Sequence, residues 1–332
     1  MDKGKNKQLL SKQVTNWFRG IAAIMIVLSH YAEWWIWFTP TEGYAEILRV
    51  SLSKMGIYGV DIFFLLSGYA MVKSFGRERK CRTFIKRRVE NVYIPYLIVV
   101  GSIELLEGGF ESLQAFLSFG CGYDYWYMFV LFMFYIGFVI IWAIIGSREV
   151  RVIIFALFTF VFSYILYNKG MQEFWYVSNI TFALGAIVGE YEEHVKQMVN
   201  KVGRFAIFIL SAGMIYVIYT GVFGNVSASI ESEAGRIWEE IVATLVWTVL
   251  VLIVAAKWKF CDKAIIALGK SSLYVYLTHT YIFMKCINYF EYSFALRFLI
   301  SAVITVAFSV LCNLIITGLH KLPFGKRRGA DA

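Results

Sequence analysis

Long apolar runs separated by short basic clusters constrain this chain more than any other feature. Of its 332 residues 59% are hydrophobic and only 17% are charged, whereas soluble domains carry about 25% charged residues. A helix needs about 20 mostly apolar residues to cross a bilayer. The sequence offers ten such runs, at 15–37, 55–74, 92–107, 126–146, 150–168, 176–190, 204–222, 238–256, 271–290 and 295–318.

The distribution of Lys and Arg tests this count independently, because cytoplasmic loops hold the excess of basic residues. With the amino terminus inside, 25 basic residues fall in the inner segments and 6 in the outer loops. The pattern predicts an all-α polytopic protein of the cell membrane, plasma or inner, with about ten spans and both termini cytoplasmic. No long polar segment interrupts it, so we expect a single transmembrane domain over 1–332 with no attached soluble domain.

The charge and cysteine patterns argue against nucleic-acid binding and against a metal or redox site. The net charge of +9 is spread over short clusters between spans, which is typical of membrane topology and does not indicate a nucleic-acid partner. The five cysteines are scattered, without the close spacing of a metal or redox pair. We therefore expect neither a metal nor a nucleic acid among the ligands.

Ionisable residues inside spans are costly and mark candidate functional sites. Arg19 and His30 are eleven residues apart, within ~20° of whole helical turns, so they share one face at depths ~16 Å apart. Asp61 reaches a depth close to that of His30, where a carboxylate would fix the imidazole tautomer and leave a general base. The alternatives are that Arg19 snorkels to the interface and that His30 and Asp61 are polar packing residues.

Five segments carry a resemblance to a known family. They are WFRGIAAIMIVLSHY at 17–31, GVDIFFLLSGY at 59–69, FIKRRVENVYIPYL at 84–97, YDYWYMFVLF at 123–132 and LGKSSLYVYLTH at 268–279. In this order they resemble the signatures of the acyltransferase 3 family, the bacterial type of membrane-bound O-acyltransferase.

The resemblance implies an acyl-CoA donor, with acetyl-CoA as the first candidate, held from the cytoplasmic side and an acceptor hydroxyl presented from the other side. It assigns essential roles to His30 and Arg19 and a contribution to Trp126. It also implies two basic residues three apart in the third signature. Arg88 matches the first of these, but Asn91 stands at the second.

The donor phosphates would suit a cluster of basic side chains. Eight basic residues lie between Lys73 and Arg88, and Arg87 and Arg88 directly precede a span. We therefore expect Arg19, Arg87 and Arg88 to bind the donor, although membrane topology alone would also account for the cluster.

The ninth candidate span places His279 beside Tyr274. The histidine either hydrogen-bonds to a neighbouring helix or lines the path of the acceptor, and the first interpretation is favoured. With Trp126, these residues form the expected substrate path.

The sequence thus predicts an O-acyltransferase that moves an acyl group, most simply acetyl, from cytoplasmic acyl-CoA to a hydroxyl of an extracytoplasmic or lipid-linked sugar or polysaccharide. His30 and Asp61 are the predicted catalytic residues. The expected partners are acyl-CoA, a carbohydrate or glycolipid acceptor and the lipid bilayer. The alternative is a polysaccharide exporter or translocator without acyl transfer, and a non-catalytic membrane partner ranks last. Neither the acceptor nor the acyl chain length follows from the sequence.

Overall fold

The computed structural model describes residues 8–40, 42–78, 81–224, 233–260, 262–290 and 292–321. These residues form helices and connecting segments, without a β-strand in the described ranges, as the all-α prediction requires. The helices are α1 Lys12–Phe38, α2 Gly43–Ser53, α3 Met55–Glu78, α4 Cys81–Arg88, α5 Ile94–Leu106, α6 Leu113–Cys121, α7 Trp126–Ile144, α8 Arg148–Asn168, α9 Asn179–Glu190, α10 Glu192–Lys201, α11 Arg204–Gly224, α12 Glu233–Lys257, α13 Lys263–Lys270, α14 Ser272–Tyr289 and α15 Phe294–Lys321.

Six stretches of the described chain are long and apolar enough to cross a membrane, which identifies a multi-pass membrane protein. They are Gly43–Arg77, Cys81–Leu106, Trp126–Ile144, Arg148–Asn168, Gly235–Lys257 and Phe294–Gly318. A seventh would be the pair Glu192–Lys201 and Arg204–Tyr216, which is bent by 96°. The structure therefore supports fewer apolar spans than the ten predicted from the sequence.

The difference from ten has physical reasons in particular helices. Helix α9 has only 12 residues, about 18 Å at 1.5 Å per residue, and is too short to cross the hydrocarbon core alone. Helix α1 is long enough, with 27 residues, but Arg19, His30 and Glu33 lower its mean hydropathy. His279 and Lys285 do the same in α14. Polar residues alone do not remove a helix from the six stretches, because Asp61 lies within Gly43–Arg77 and Arg88 lies within Cys81–Leu106.

The predicted third span begins earlier than expected. Helix extends from Cys81 rather than from residue 92, and a five-residue π-helical segment, Val89–Tyr93, joins α4 to α5. The basic residues of α4 are part of this continuous helix. Such residues are tolerated there because long cationic side chains can reach the polar interface while their backbone stays helical.

A close crossing of α3 and α9 depends on two glycines. A Cβ atom at Gly185 would lie 2.1 Å from the Leu65 carbonyl oxygen, and one at Gly68 would lie 2.1 Å from the Phe182 carbonyl oxygen. Neither position can hold a larger residue unless the helices separate, which is the packing expected of small residues between membrane helices. Helix α3 is thus packed closely against α9 as well as against α1.

Helix α14 is held against α1 and α5, which sets the position of its polar residues. Trp34 of α1 stacks on Phe283 of α14 with ring centroids 4.6 Å apart. Lys285 pairs with Glu107, just after α5, at 2.7 Å, and the Tyr281 hydroxyl donates to the same carboxylate at 3.0 Å. The hydrogen bond from Lys285 holds the pKa of Glu107 below its usual range.

Candidate active site

Two cavities lie along the same face of α1, one around Arg19 and the other around His30. The Arg19 cavity has a volume of about 270 Å³ and is lined by Arg19, Ile26, Phe63, Ser67, Asn91, Val92, Pro95, Tyr127, Leu131, Tyr135, Gly269, Lys270, Ser272, Leu273, Tyr274, Tyr276, Asn313, Ile316 and Thr317. The His30 pocket has a volume of about 330 Å³ and is lined by Ile26, Ser29, His30, Glu33, Ser53, Lys54, Gly56, Ile57, Tyr58, Val60, Trp126, Glu173, Phe174, Ser178, Glu240 and Tyr276.

The charged side chains that line the Arg19 cavity are both cationic. Arg19 and Lys270 line it, and no carboxylate is among its lining residues in the described chain. Tyr127 and Tyr135 lie close to the Arg19 guanidinium. Since a buried cation is normally paired, a cation that faces a cavity without a carboxylate is suited to an anionic or strongly polar ligand.

The π-helical segment between α4 and α5 shapes one wall of the Arg19 cavity. It brings Asn91 and Val92 to the lining, followed by Pro95 in the first turn of α5. A π-helical turn inserts an extra residue into the helix and recurs at functional sites. The wall therefore consists of the third of the sequence segments that carry the family resemblance.

The structure separates the two arginines expected to bind the donor. Arg88 lies near Arg19, where its Nη2 donates to the Ser74 hydroxyl at 2.6 Å and its guanidinium covers the Phe84 ring at 5.1 Å. Arg87 is exposed on α4 and does not line the cavity. Thus Arg88 contributes positive potential behind the cavity wall, and Arg87 faces away from it.

The His30 imidazole is held by a carboxylate on its own helix. Its Nδ1 lies 3.3 Å from Glu33 Oε2, one turn further along α1. A carboxylate accepts, so Nδ1 carries the proton in this arrangement, and Nε2 keeps a lone pair. The ring also stacks on Trp34 at 5.8 Å, and the side chain remains 36% exposed toward the pocket. This geometry is suited to proton abstraction from a bound hydroxyl.

The predicted pairing of Asp61 with His30 does not occur. Asp61 is buried and its Oδ2 accepts from the Thr244 hydroxyl of α12 at 3.1 Å, while its Oδ1 is buried without a hydrogen-bond partner among the described residues. The reason is rotational. Gly59 faces α1, where its Cβ position lies 2.9 Å from the Ala22 carbonyl oxygen, and Asp61 is two residues further, about 200° around α3. The Asp61 side chain therefore faces away from α1.

The His279 ring lies beside His30, with ring centroids 5.1 Å apart. Its Nδ1 is 3.0 Å from the Val275 carbonyl and 2.9 Å from that of Tyr276, both on α14. Because carbonyls only accept, Nδ1 carries the proton and Nε2 is left as an acceptor. The predicted hydrogen bond is therefore made within its own helix rather than to a neighbouring helix, and the ring still reaches the candidate site.

Aromatic rings and carboxylates line the rest of the His30 pocket. Trp126, at the start of α7, packs on Phe174 with centroids 5.2 Å apart. Lys54 lies 3.7 Å from one oxygen of Glu240, whose other oxygen is buried without a hydrogen-bond partner in the described part of the chain. Glu173 is paired with Arg236. Tyr274, the other predicted path residue, lies instead in the Arg19 cavity.

Several residues at the two cavities were not singled out from the sequence. Glu33 could have been found from its spacing, because residues three apart share a helix face. Lys270 lies inside the segment 268–279 that carries the family resemblance. Glu240 gave no such signal, since its proximity to His30 depends on how α12 packs against α3.

Comparison with known proteins agrees with this arrangement. The family model Acyl_transf_3, described as an acyltransferase domain, matches residues 15–314 and so includes nearly all of α1, all of α14 and nearly all of both cavities. No curated protein and no solved structure matches the chain. The chain belongs to the acyltransferase 3 family, which identifies it as a multi-pass membrane protein of an acyltransferase type.

Proposed function

We propose that this protein is an acyl-CoA-dependent O-acyltransferase, with acetyl as the first candidate group and a hydroxyl of an extracytoplasmic or lipid-linked sugar or polysaccharide as acceptor. One observation supports this most directly. A single face of α1 presents a cation to one cavity and a carboxylate-oriented histidine to the next.

In the proposed reaction His30 acts as the general base. Its Nε2 takes the proton of the acceptor hydroxyl, and the hydroxyl oxygen attacks the thioester carbonyl. The new C–O bond forms as the C–S bond breaks, and the thiolate of coenzyme A leaves and takes up a proton. Glu33 holds the imidazole and stabilises its charged form.

The Arg19 cavity is the proposed donor site. Its cations, Arg19 and Lys270, suit the phosphates or the polar amide groups of acyl-CoA. The pantetheine arm would then extend along α1 toward His30, over the ~16 Å that separates residues eleven apart on a helix.

The His30 pocket is the proposed acceptor site. Trp126 and Phe174 offer aromatic surface for the apolar face of a sugar ring. Glu173 and Glu240 offer acceptors for its hydroxyl groups. An anionic donor would be repelled from this pocket, which supports the assignment of the two cavities to different substrates.

The proposal includes the membrane orientation. We place both termini and α4 on the cytoplasmic side of the cell membrane, because most basic residues then lie inside. We retain about ten membrane-crossing segments, with α1, α11 and α14 among them and with α9 crossing only together with the residues that flank it. The donor cavity then opens inward and the acceptor pocket outward.

Mass spectrometry of surface glycans tests the proposal. Cells with the wild-type chain should carry glycans heavier by an acyl group, and this mass should disappear in cells without the chain and in cells with His30→Ala. A polysaccharide exporter would instead lower the amount of surface glycan while leaving the acylation of each molecule unchanged. Unaltered glycan masses in all three strains would contradict acyl transfer.

A further inference from the structure

The Arg19 cavity and the His30 pocket share two lining residues, Ile26 and Tyr276. Ile26 is seven residues after Arg19 and four before His30, so about two turns and one turn of α1 separate them on one face. Tyr276 approaches from α14. Among the described residues, Ile26 and Tyr276 are the only ones that line both cavities, and they mark the boundary between them.

Both side chains are held where they are by packing. Ile26 is 4% exposed, and a β-branched side chain in a helix has essentially one rotamer. The Tyr276 ring packs on Tyr127 at 5.2 Å and on His279 at 6.2 Å, and its side chain approaches the backbone of Tyr127. Ile26 therefore forms the aliphatic side of the boundary between the two cavities, and the Tyr276 ring forms the aromatic side.

We infer that Ile26 and Tyr276 form a septum that closes the passage between the two cavities and that the donor thioester displaces on its way to His30. The inference rests on the proposed function and assigns these two residues a positioning role in it. The septum would keep water in the His30 pocket away from the thioester until an acceptor has taken its place.

Exclusion of water matters because the proposed reaction cannot by itself distinguish an alcohol from water. If water reached the thioester beside His30, it would give its proton to Nε2 and its oxygen would bond to the acyl carbon. The C–S bond would break, and coenzyme A would leave as the thiol with a free carboxylic acid as the other product. A dry, apolar separation between the cavities suppresses this hydrolysis.

Thiol release from acetyl-CoA in the absence of an acceptor measures this hydrolysis. In purified protein, Ile26→Ala and Tyr276→Ala should raise acceptor-independent thiol release severalfold over wild type. Ile24→Ala is the matched control, since Ile24 is an exposed residue of the same type on the same helix. Adding His30→Ala to Ile26→Ala should return the release to the background. Release that stays at the wild-type level in both septum variants would overturn the inference.

A labelling experiment tests the septum without catalysis. Ser67 lines only the Arg19 cavity, so Ser67→Cys, in a background with the five cysteines replaced, reports access to that cavity in proteoliposomes. An impermeant maleimide should label it from the side of α4 only. With Ile26→Ala or Tyr276→Ala, labelling should also occur from the side of the His30 pocket. Labelling from both sides with the septum intact would contradict the inference.

The two experiments separate the septum from the function on which it rests. Wild-type protein that neither transfers nor hydrolyses the acyl group would remove the proposed function. The one-sided labelling of Ser67→Cys would still decide whether Ile26 and Tyr276 close the passage.

Discussion

The Arg19 cavity and the His30 pocket are neighbours of similar size but opposite charge. Arg19 and Lys270 line the first, whereas the second combines Glu33, Glu173 and Glu240 with a lysine and several aromatic rings. In the proposed function, a phosphate-bearing donor is stabilised in the first cavity and repelled from the second. Under that proposal the difference in charge between the two cavities lets one helix face serve two chemically different substrates.

The sharpest way to test this contrast is to remove the proposed base. His30→Ala should lower kcat by about 10²–10⁴, the usual contribution of a general base, with little change in KM for acetyl-CoA. The assay follows transfer of labelled acetyl to a glycan acceptor by purified protein. His194→Ala, at an exposed position on α10, is the matched control. Wild-type turnover in His30→Ala would contradict the general-base role of His30 and would favour the polysaccharide exporter as the function of this chain.

Removal of the Arg19 side chain should instead weaken the binding of the donor, acetyl-CoA. Arg19→Ala should raise KM for acetyl-CoA by about 10- to 100-fold, because a hydrogen bond to a charged group contributes about 1.5–3 kcal/mol. Arg19→Lys should recover part of the loss, since it restores the charge without the planar fork. The measurement is KM at saturating acceptor. If Arg19→Ala changed kcat alone, the cavity would not be the donor site.

The two carboxylates near His30 should differ in effect. Glu33→Gln should lower kcat by about tenfold, in line with the loss of a group that orients a functional histidine. Asp61→Asn should change it much less, since Asp61 is bonded to Thr244 and not to His30. Glu33→Asp should recover part of the rate. A larger loss from Asp61→Asn, with both proteins equally well folded, would restore the pairing that the sequence suggested.

The smallest expected effect comes from the mouth of the Arg19 cavity. Lys270→Ala should raise KM for acetyl-CoA by about two- to fivefold, because an exposed charge contributes less than about 1 kcal/mol. Lys263→Ala, at the other end of α13 and outside the cavity lining, is the control and should leave KM unchanged. Equal effects of the two variants would indicate a diffuse electrostatic contribution rather than a defined contact.

Much of this arrangement was predictable from spacing within single helices. The eleven-residue interval between Arg19 and His30 predicts one shared face, and both cavities are found along it. The three-residue interval between His30 and Glu33 also predicts a shared helix face, so it would have identified Glu33 as the carboxylate that orients His30.

Contacts between helices were not predictable in the same way. The depth of Asp61 follows from counting residues, but the direction of its side chain depends on the rotation of α3, which Gly59 and Gly68 set by their close contacts with α1 and α9. The count of ten spans also mixed two signals. The positive-inside rule compares the Lys and Arg content of the loops on the two sides of the membrane. The test of length and apolarity considers each helix by itself.

Equilibrium binding of acetyl-CoA to purified His30→Ala and Arg19→Ala proteins tests the division of labour most directly. His30→Ala should bind acetyl-CoA as tightly as wild type, because its cavity for the donor is intact, and Arg19→Ala should bind it at least about tenfold more weakly. Equal loss of binding in both variants, or unchanged binding in Arg19→Ala, would contradict the assignment of the two cavities to donor and acceptor.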